Sequence, residues 1–135
     1  MTLVKTVDLK RLGDERGSLV AIESNNTIPF PLNRVYYIYG TDSNVARGFH
    51  AHKALQQMAV CVAGKCTMLL DDGDGKEEVV MESPTQGVLI DPMVWHEMHS
   101  FSDDCVLLVL ASEYYDESDY IRDYETFQQI TRKTL

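Results

Sequence analysis

Two histidines, His50 and His52, lie one residue apart in the segment RGFHAHK, between Arg47 and Lys53. Side chains two residues apart on a β-strand point to the same face, so the two imidazoles are expected to project together. A pair of imidazoles in one cavity can bind a metal ion or transfer protons, because histidine titrates near neutral pH. The motif alone leaves open a third interpretation, a hydrogen-bonded or surface pair with no chemical role.

The other two histidines, His96 and His99, lie together in the segment GVLIDPMVWHEMHSF. All four histidines of the chain therefore fall in two short segments, which is expected of a site rather than of a random distribution. The residues that follow the first pair include the neutral amides Gln56 and Gln57 but no carboxylate. A centre built from imidazoles and an amide suits most divalent metals less well than one with a carboxylate, so the pattern favours proton chemistry without metal.

Short apolar runs separated by turn signals predict the strands that must position these histidines. The runs cover residues 17–23, 34–40, 56–64, 65–73, 76–82, 86–92, 95–101 and 105–112. The sequence DDGDG, at residues 71–75, lies between two of them and is typical of a hairpin turn. About eight short strands at this spacing predict an all-β sandwich or barrel.

The end of the chain has a different pattern. Residues 116–133, DESDYIRDYETFQQITRK, begin with acidic and serine capping candidates and end with basic residues, which predicts one C-terminal helix. The sequence contains no internal repeat or linker, so we expect a single domain over residues 1–135.

Composition excludes several classes of function. A formal net charge of -9 argues against a general nucleic-acid binder, which needs a basic face. The N-terminus lacks the apolar region of a signal peptide, and no apolar run is long enough for a membrane span. The three cysteines are an odd number and lie in apolar runs, which predicts reduced, buried thiols and a cytoplasmic protein.

Five segments of the chain together resemble the sugar-nucleotide 3,4-ketoisomerases of the cupin superfamily. They are DERGSLVAIE, RVYYIYG, RGFHAHK, DPMVWHEMHSF and VLASEYYDESDYIRDYETF, and the resemblance extends from about residue 8 to about residue 130. It implies a cupin-type jelly-roll barrel with a C-terminal helix. It also implies an enzyme that uses neither metal nor organic cofactor, and metal-binding cupins have a glutamate where this chain has Gln56 or Gln57.

The resemblance also implies roles for individual residues. His50 and His52 fall on the catalytic pair of the family, with His52 expected to be the base. Tyr37 and Arg47 fall on residues that line the nucleotide-sugar pocket, and Tyr37, His50 or Arg47 could stabilise a developing oxyanion. The diphosphate of the substrate requires cations, for which the candidates in these segments are Arg16, Arg34, Arg47 and Lys53.

The reaction that the resemblance implies moves the keto group of dTDP-4-keto-6-deoxy-D-glucose from C4 to C3, for synthesis of a 3-amino sugar of surface polysaccharide or O-antigen. Members that form the gluco product have a tyrosine and an arginine where this chain has Arg16 and His96. The resemblance therefore implies the galacto product. It further implies a homodimer in which N-terminal strands are exchanged between subunits.

Three other functions remain open at this stage. One is a metal-dependent cupin enzyme with His50, His52, Gln57 and His96 as ligands, and another is a sugar- or nucleotide-binding cupin without catalysis. The last is an epimerase, which in related cupins pairs a histidine with an aspartate. The segment AHKALQQ offers no acid near His52, so an aspartate elsewhere, such as Asp91, would have to supply it.

Overall fold

The computed structural model describes residues 3–132, in which strands are the main secondary structure. The strands are β1 Lys5–Asp8, β2 Leu12–Asp14, β3 Gly17–Leu19, β4 Arg34–Ile38, β5 Arg47–His52, β6 Gln57–Ala63, β7 Cys66–Asp71, β8 Lys76–Met81, β9 Gln86–Ile90, β10 Trp95–His99, β11 Val106–Ala111 and β12 Tyr120–Ile121. A short 3-10 helix, Glu117–Asp119, precedes β12, and the helix α1, Tyr124–Arg132, follows it. Within residues 3–132 no helix is long and apolar enough to cross a membrane.

Two five-stranded antiparallel sheets form the barrel. One sheet has the order β1-β9-β6-β11-β4, and the other has the order β12-β5-β10-β7-β8. Strands β2 and β3 pair only with each other, as a separate hairpin. Sequence neighbours are often distant in the sheets, as expected of a jelly roll. The predicted all-β, cupin-type jelly roll with a C-terminal helix is therefore confirmed.

The core lies between the two sheets and follows the alternation of the strands. Met68 and Leu70 of β7 point inward from one sheet, and Leu107 and Val109 of β11 point inward from the other. All four are at most 2% exposed. Removing this apolar surface from water is the main favourable contribution to folding, and it fixes the faces of the strands that carry the histidines.

The predicted hairpin at residues 71–75 is confirmed between β7 and β8. Asp72 accepts hydrogen bonds from the backbone N–H groups of Asp74 and Gly75, each at 2.8 Å, and so closes the turn. Gly73 has a φ of 92°, and a Cβ there would collide with Thr131 of α1. Glycine is therefore required for both the backbone conformation and the packing of the helix.

Strand β5, which carries the histidine pair, contains a β-bulge against β10. His50 pairs with His96, but the register then shifts so that Gly48 pairs with Glu97, which leaves Phe49 as the extra residue. Phe49 has a φ of 61°, an uncommon conformation for a residue with a side chain. A Cβ on Gly48 would lie 2.9 Å from the carbonyl oxygen of His96, so glycine permits the close approach of the two strands.

The predicted single helix over residues 116–133 is wrong in its first half. The acidic start forms the 3-10 helix instead, and the next two residues, β12, pair with β5. Helix α1 begins only at Tyr124, after Asp123, whose carboxylate accepts from the backbone N–H of Thr126 at 3.1 Å. Asp123 thus caps the true helix. Residue 133, the predicted helix end, lies outside the described residues.

The N-terminal segment also differs from the prediction. β1 pairs with β9 and so extends the first sheet, although its alternating charges gave no clear strand signal. Of the run predicted at residues 17–23, only Gly17–Leu19 forms a strand, as half of the exposed hairpin with β2. Leu12 and Leu19 pair across this hairpin and are 44% and 57% exposed.

Candidate active site

A cavity of about 380 Å³ opens into one end of the barrel. Its floor is apolar and its walls carry histidines, tyrosines and arginines. The lining residues that could contribute to chemistry are Arg34, Tyr36, Tyr37, Arg47, His50, His96, Tyr115, Tyr120 and Arg122. A concave, largely apolar space with a few convergent polar groups is the usual form of a small-molecule site.

Three histidines meet at this end of the barrel. The ring centroids of His50 and His52 are 4.9 Å apart, which confirms that the pair projects together. His96 enters from the neighbouring strand β10, with its ring 4.5 Å from His50 and 5.8 Å from His52. His96 belongs to the second histidine segment of the sequence. It contacts His50 because the two residues pair across the neighbouring strands β10 and β5.

Backbone carbonyls fix the tautomers of two of these rings. Nδ1 of His50 lies 3.1 Å from the carbonyl oxygen of Gly48, and Nδ1 of His96 lies 3.2 Å from that of Val94. A carbonyl can only accept, so in the neutral rings Nδ1 carries the hydrogen. Nε2 of each ring therefore holds the free lone pair that a base requires.

Burial keeps the three rings neutral at ordinary pH. It lowers the pKa of His50, and the positive charge of Arg122 lowers it further. Burial and repulsion by His50 lower the pKa of His52 to about 4. Burial also lowers the pKa of His96 to about 3. Each imidazole is therefore neutral at neutral pH, so one nitrogen of each ring keeps the lone pair that a base needs.

His52 occupies a different position from His50. It is 2% exposed and borders a second depression, of about 480 Å³, next to the main cavity. Arg34, Tyr115 and Tyr120 line both spaces. The half-buried His50 lines the main cavity, whereas His52 lines the second depression.

An aspartate stands beside His52 after all. Oδ2 of Asp119 lies 3.3 Å from Nδ1 of His52, outside hydrogen-bond geometry. The carboxylate is held in place by the backbone N–H groups of Ala54, at 2.9 Å, and Leu55, at 3.3 Å. The acid comes from a distant part of the sequence, as expected, but it is not Asp91, the example considered there, whose carboxylate pairs with Lys5 at 2.6 Å.

Tyr120 is a site residue that sequence reasoning missed. Its ring lies 4.3 Å from His52 and 5.0 Å from His50, because β12 pairs directly with β5. Within a predicted helix, Tyr120 had no reason to be near the histidines. The capping position of Asp123 is the signal that could have placed the helix start later and freed this segment.

Arginines surround the cavity. Arg34 and Arg47 line it as predicted, and Nε of Arg34 is buried without a hydrogen-bond partner among residues 3–132. Arg122, which was not predicted, also lines it and stacks over the Tyr120 ring at 4.2 Å. Its guanidinium binds both oxygens of Glu117, at 2.8 and 2.9 Å. These groups give the cavity the donors that an anionic ligand needs.

Strand alternation separates the two tyrosines of β4. Tyr37, predicted as a catalytic donor, lies at the cavity rim and is 62% exposed. The half-buried Tyr36 points inside, where its hydroxyl donates to Oε1 of Gln57 at 2.6 Å. Neighbouring residues on a strand face opposite sides, so the position of Tyr37 suits contact with a ligand at the entrance better than donation to a reacting atom.

Two predicted cations lie away from the cavity. Arg16 sits on the exposed β2–β3 hairpin, where its guanidinium pairs with Asp14 at 2.6 Å. Lys53 follows β5 with an exposed side chain, and its backbone N–H donates to the carbonyl of Asp119. The prediction that these side chains line the site is therefore not met within the single chain.

The three imidazoles could also hold a metal ion. His50, His52 and His96 each offer a nitrogen, and these atoms lie within 4.8 Å of one another. The amide of Gln57, the fourth ligand considered from the sequence, already accepts from Tyr36. The set fits an imidazole-only centre, without the carboxylate that most such sites include.

The chain matches known proteins over nearly its whole length. The sequence profile of the family described as "FdtA: WxcM-like, C-terminal" matches residues 2–132. A TDP-4-oxo-6-deoxy-alpha-D-glucose-3,4-oxoisomerase from Aneurinibacillus thermoaerophilus is 54% identical over 129 residues, which cover 96% of this chain and 93% of that protein.

Solved structures agree with the sequence match. The 3,4-ketoisomerase QdtA from Thermoanaerobacterium thermosaccharolyticum, as a histidine-to-asparagine mutant in complex with TDP-4-keto-6-deoxyglucose, superposes with a TM-score of 0.95 at 41% identity, over 98% of this chain and 97% of that one. A double mutant of QdtA in complex with TDP has a TM-score of 0.96 at 43% identity, over 100% and 99% of the two chains. In this double mutant a tyrosine is replaced by arginine and an arginine by histidine.

Proposed function

This chain belongs to the FdtA family of sugar 3,4-ketoisomerases, and from that premise we propose that it moves the keto group of TDP-4-keto-6-deoxy-D-glucose from C4 to C3. The observation that carries the proposal is the pair of neutral imidazoles on β5, beside a cavity whose rim supplies arginines for a diphosphate. A small-molecule isomerase needs both features in one place. We expect the enzyme to act in the cytoplasm on a pathway to a 3-amino sugar of surface polysaccharide.

The reaction requires a base that removes a proton from C3 and a donor that returns a proton to the adjacent carbon, C4. The proton on C3 is acidic because C3 lies next to the C4 ketone. Its removal to Nε2 of a neutral imidazole leaves an enediolate. Return of a proton to C4, with transfer of the hydroxyl proton from the C3 oxygen to the C4 oxygen, gives the C3 ketone and a C4 hydroxyl. No electron leaves the sugar, so the isomerisation is balanced without an oxidant. One imidazole that accepts and then returns the proton suffices for both steps.

We assign the role of base to His50. It lines the main cavity, and its bond to the carbonyl of Gly48 keeps the lone pair on Nε2. The spacing of the residues substituted in the QdtA mutants supports the choice of His50. The intervals between the tyrosine, the histidine and the arginine replaced in its mutants equal those between Arg16, His50 and His96 in this chain.

We assign a supporting role to His52 and Asp119. The aspartate is anchored by two backbone N–H groups, and its negative charge opposes the fall in the pKa of His52 caused by burial. It also favours the tautomer of His52 with hydrogen on Nδ1. His52 therefore presents Nε2 to its surroundings, from which it can exchange a proton with the reacting site.

The substrate's anionic oxygens would be held by the arginines of the rim. The unpartnered Nε of Arg34 is a donor already removed from water, so a substrate oxygen that accepts from it satisfies a buried group. Arg47 stands on the same strand as His50 and lines the same cavity. The exposed Tyr37 would contact the nucleotide at the entrance. Lys53 remains a candidate for longer-range attraction of the diphosphate.

We further propose the galacto configuration for the product, TDP-3-keto-6-deoxy-D-galactose. His96 stands beside His50, where it can influence the face of C4 that receives the proton. The QdtA double mutant acquires arginine and histidine, the residue types that this chain carries at positions 16 and 96. Arg16 would reach a cavity from the partner subunit of a dimer that exchanges N-terminal strands, because its exposed hairpin lies outside the cavity of its own chain.

A metal centre at the three histidines is the second candidate, favoured by the mutual proximity of their nitrogens. Such a centre would supply a Lewis acid for the same sugar carbonyl. It predicts one bound transition metal per chain at the histidines and activity that a chelator removes.

Incubation of the purified protein with TDP-4-keto-6-deoxyglucose in deuterated buffer, followed by NMR, tests these proposals together. We expect the carbonyl at C3, solvent deuterium at C4 and the axial C4 configuration of a galacto sugar, with no effect of chelator. A carbonyl that stays at C4 while a neighbouring centre inverts would instead identify an epimerase. Binding without any change of the sugar would identify a binding protein.

A further inference from the structure

The three cysteines of the chain meet at the end of the barrel away from His50, His52 and His96. Cys61 lies near the end of β6, Cys66 begins β7, and Cys105 directly precedes β11. Each is about 1% exposed, and their sulfur atoms all lie within 4.8 Å of one another. The proposed isomerase reaction uses none of them, since it takes place at the other end of these strands.

The spacing of the sulfurs matches that of a thiolate metal centre. A bond from zinc to sulfur is about 2.3 Å long, so sulfurs in a tetrahedral or trigonal centre lie roughly 3.8–4.0 Å apart. The sulfurs of Cys61 and Cys105 are 3.8 Å apart. A cation could therefore be bound with little movement of the strands.

The cysteine cluster lies at the edge of the apolar core between the two sheets. Two turns lie next to it, in which Lys65 and Asp104 are exposed and Gly64 is half-buried. The sulfur of Cys61 lies 3.2 Å from the carbonyl oxygen of Ala63 and 3.4 Å from that of Gly64.

We propose that Cys61, Cys66 and Cys105 form a binding site for one thiophilic divalent cation, of the class of Zn²⁺. The three thiols lose their protons to water as three metal–sulfur bonds form, and no oxidation takes place. The carboxylate of Asp104, which precedes Cys105 and lies over Gly64, is the nearest candidate for a fourth ligand. Bound metal would tie together β6, β7 and the start of β11, and so stabilise the folded chain.

Titration with Cd²⁺ tests the site, because thiolate bound to Cd²⁺ has an ultraviolet charge-transfer band that imidazole ligands do not give. The reduced, metal-free full-length chain should develop this band up to one equivalent and release protons as it does so. Zn²⁺ should then abolish the band by displacement. The absence of a band at one equivalent would overturn the proposal.

Variants locate the site. Cys66→Ala should lower the affinity for Cd²⁺ by more than about 100-fold, since loss of an outer-shell partner alone costs 10–100-fold. Met81→Leu, a change of similar volume at the residue that pairs with Cys66 across β7 and β8, should leave the titration unchanged. His50→Asn should also leave the band intact. A band that survives in Cys66→Ala would contradict a three-thiolate site.

A measurement on the unaltered chain covers the case in which a cysteine variant does not fold. One equivalent of Cd²⁺ should slow the alkylation of all three cysteines at least tenfold, as counted by mass spectrometry. Equal alkylation rates with and without Cd²⁺ would overturn the proposal. Neither result depends on turnover of a sugar, so the proposed isomerase and this site can fail separately.

Discussion

The two ends of the barrel each collect three side chains that can bind metal, yet they offer different chemistry. At one end His50 and His96 line an open cavity with arginines and tyrosines around it. At the other end three cysteines are almost completely buried beneath two turns. A nucleotide sugar can reach the first cluster, whereas only protons or a small ion can reach the second. Access, rather than the number of potential ligands, separates a catalytic site from a site that could only stabilise the fold.

The contrast between the two ends would fail if the histidine end were not catalytic. His50→Asn should lower kcat by roughly 100-fold to 10,000-fold, the usual contribution of a general base. The NMR assay of keto transfer measures this loss. His99→Asn is the matched control, because His99 is the histidine whose side chain is 40% exposed and paired with Glu97. Full activity in His50→Asn would remove this residue from the mechanism.

The two members of the histidine pair can be ranked with the same assay. His52→Asn should reduce kcat by less than His50→Asn does, since His52 is buried beside the cavity rather than lining it. A larger loss in His52→Asn would return the role of base to His52, as the family resemblance suggested.

Asp119 provides a finer test of the histidine end, because we expect it to act on the reaction through His52. Asp119→Asn should lower kcat by about tenfold and leave KM nearly unchanged, since the amide keeps one oxygen to accept from the backbone N–H of Ala54. It loses the oxygen that accepts from Leu55 and the charge beside His52. It should also lower the pKa of His52 further, because the carboxylate opposes the effect of burial. NMR titration of the imidazole measures that shift. Asp103→Asn, in an exposed turn, is the control, and an unmoved titration would contradict the coupling.

Acid should unfold the protein through its buried histidines. The pKa of His96 falls from an ordinary 6.5 to about 3 on burial, so below pH 6.5 the unfolded chain binds more protons than the folded one. The free energy of unfolding should therefore fall as the pH decreases from 6.5 towards 3, by up to about 1.4 kcal/mol per pH unit for this group. Urea unfolding at several pH values measures the slope.

His96→Gln should reduce that slope, because it removes one group that binds a proton on unfolding. A slope that is identical in His96→Gln and in the unaltered protein would show that His96 is not held neutral by the fold.

The smallest effect is expected at the cysteine end. Cys66→Ala should change kcat/KM of the isomerase by less than about twofold, because distant sites without shared partners act independently. The NMR assay with metal-free protein measures this. A large loss of activity in a folded Cys66→Ala variant would show that the two ends of the barrel are coupled, and the contrast between them would fail.

Features formed by residues close together in the sequence were predictable. The common orientation of His50 and His52 follows from strand alternation, and the hairpin at residues 71–75 follows from its acidic and glycine residues. The apolar runs also identified the central strands, although each proved shorter by one or more residues. Local rules suffice in these cases because each feature is formed by residues that are neighbours in the chain.

Features produced by long-range pairing were not predictable. Tyr120 and Asp119 reach His52 only because two residues of β12 pair with β5, and the acidic residues before them are also typical of a helix start. The same holds for the cysteines, since Cys61 and Cys105 are 44 residues apart and meet through the topology of the barrel. A single sequence does not specify which distant strands become neighbours.

The extra residue at Phe49 limits how the length of this strand can vary. Residues at odd spacing on a regular strand face opposite ways, yet Arg47 and His50 both line the cavity. The bulge allows this, since two residues of β5 there oppose one residue of β10. An insertion of a single residue between Arg47 and His50 would turn one of them out of the cavity while both amino acids were retained. A homologue with this insertion could thus keep all the residues of the motif and still lose Arg47 from beside His50, the proposed base.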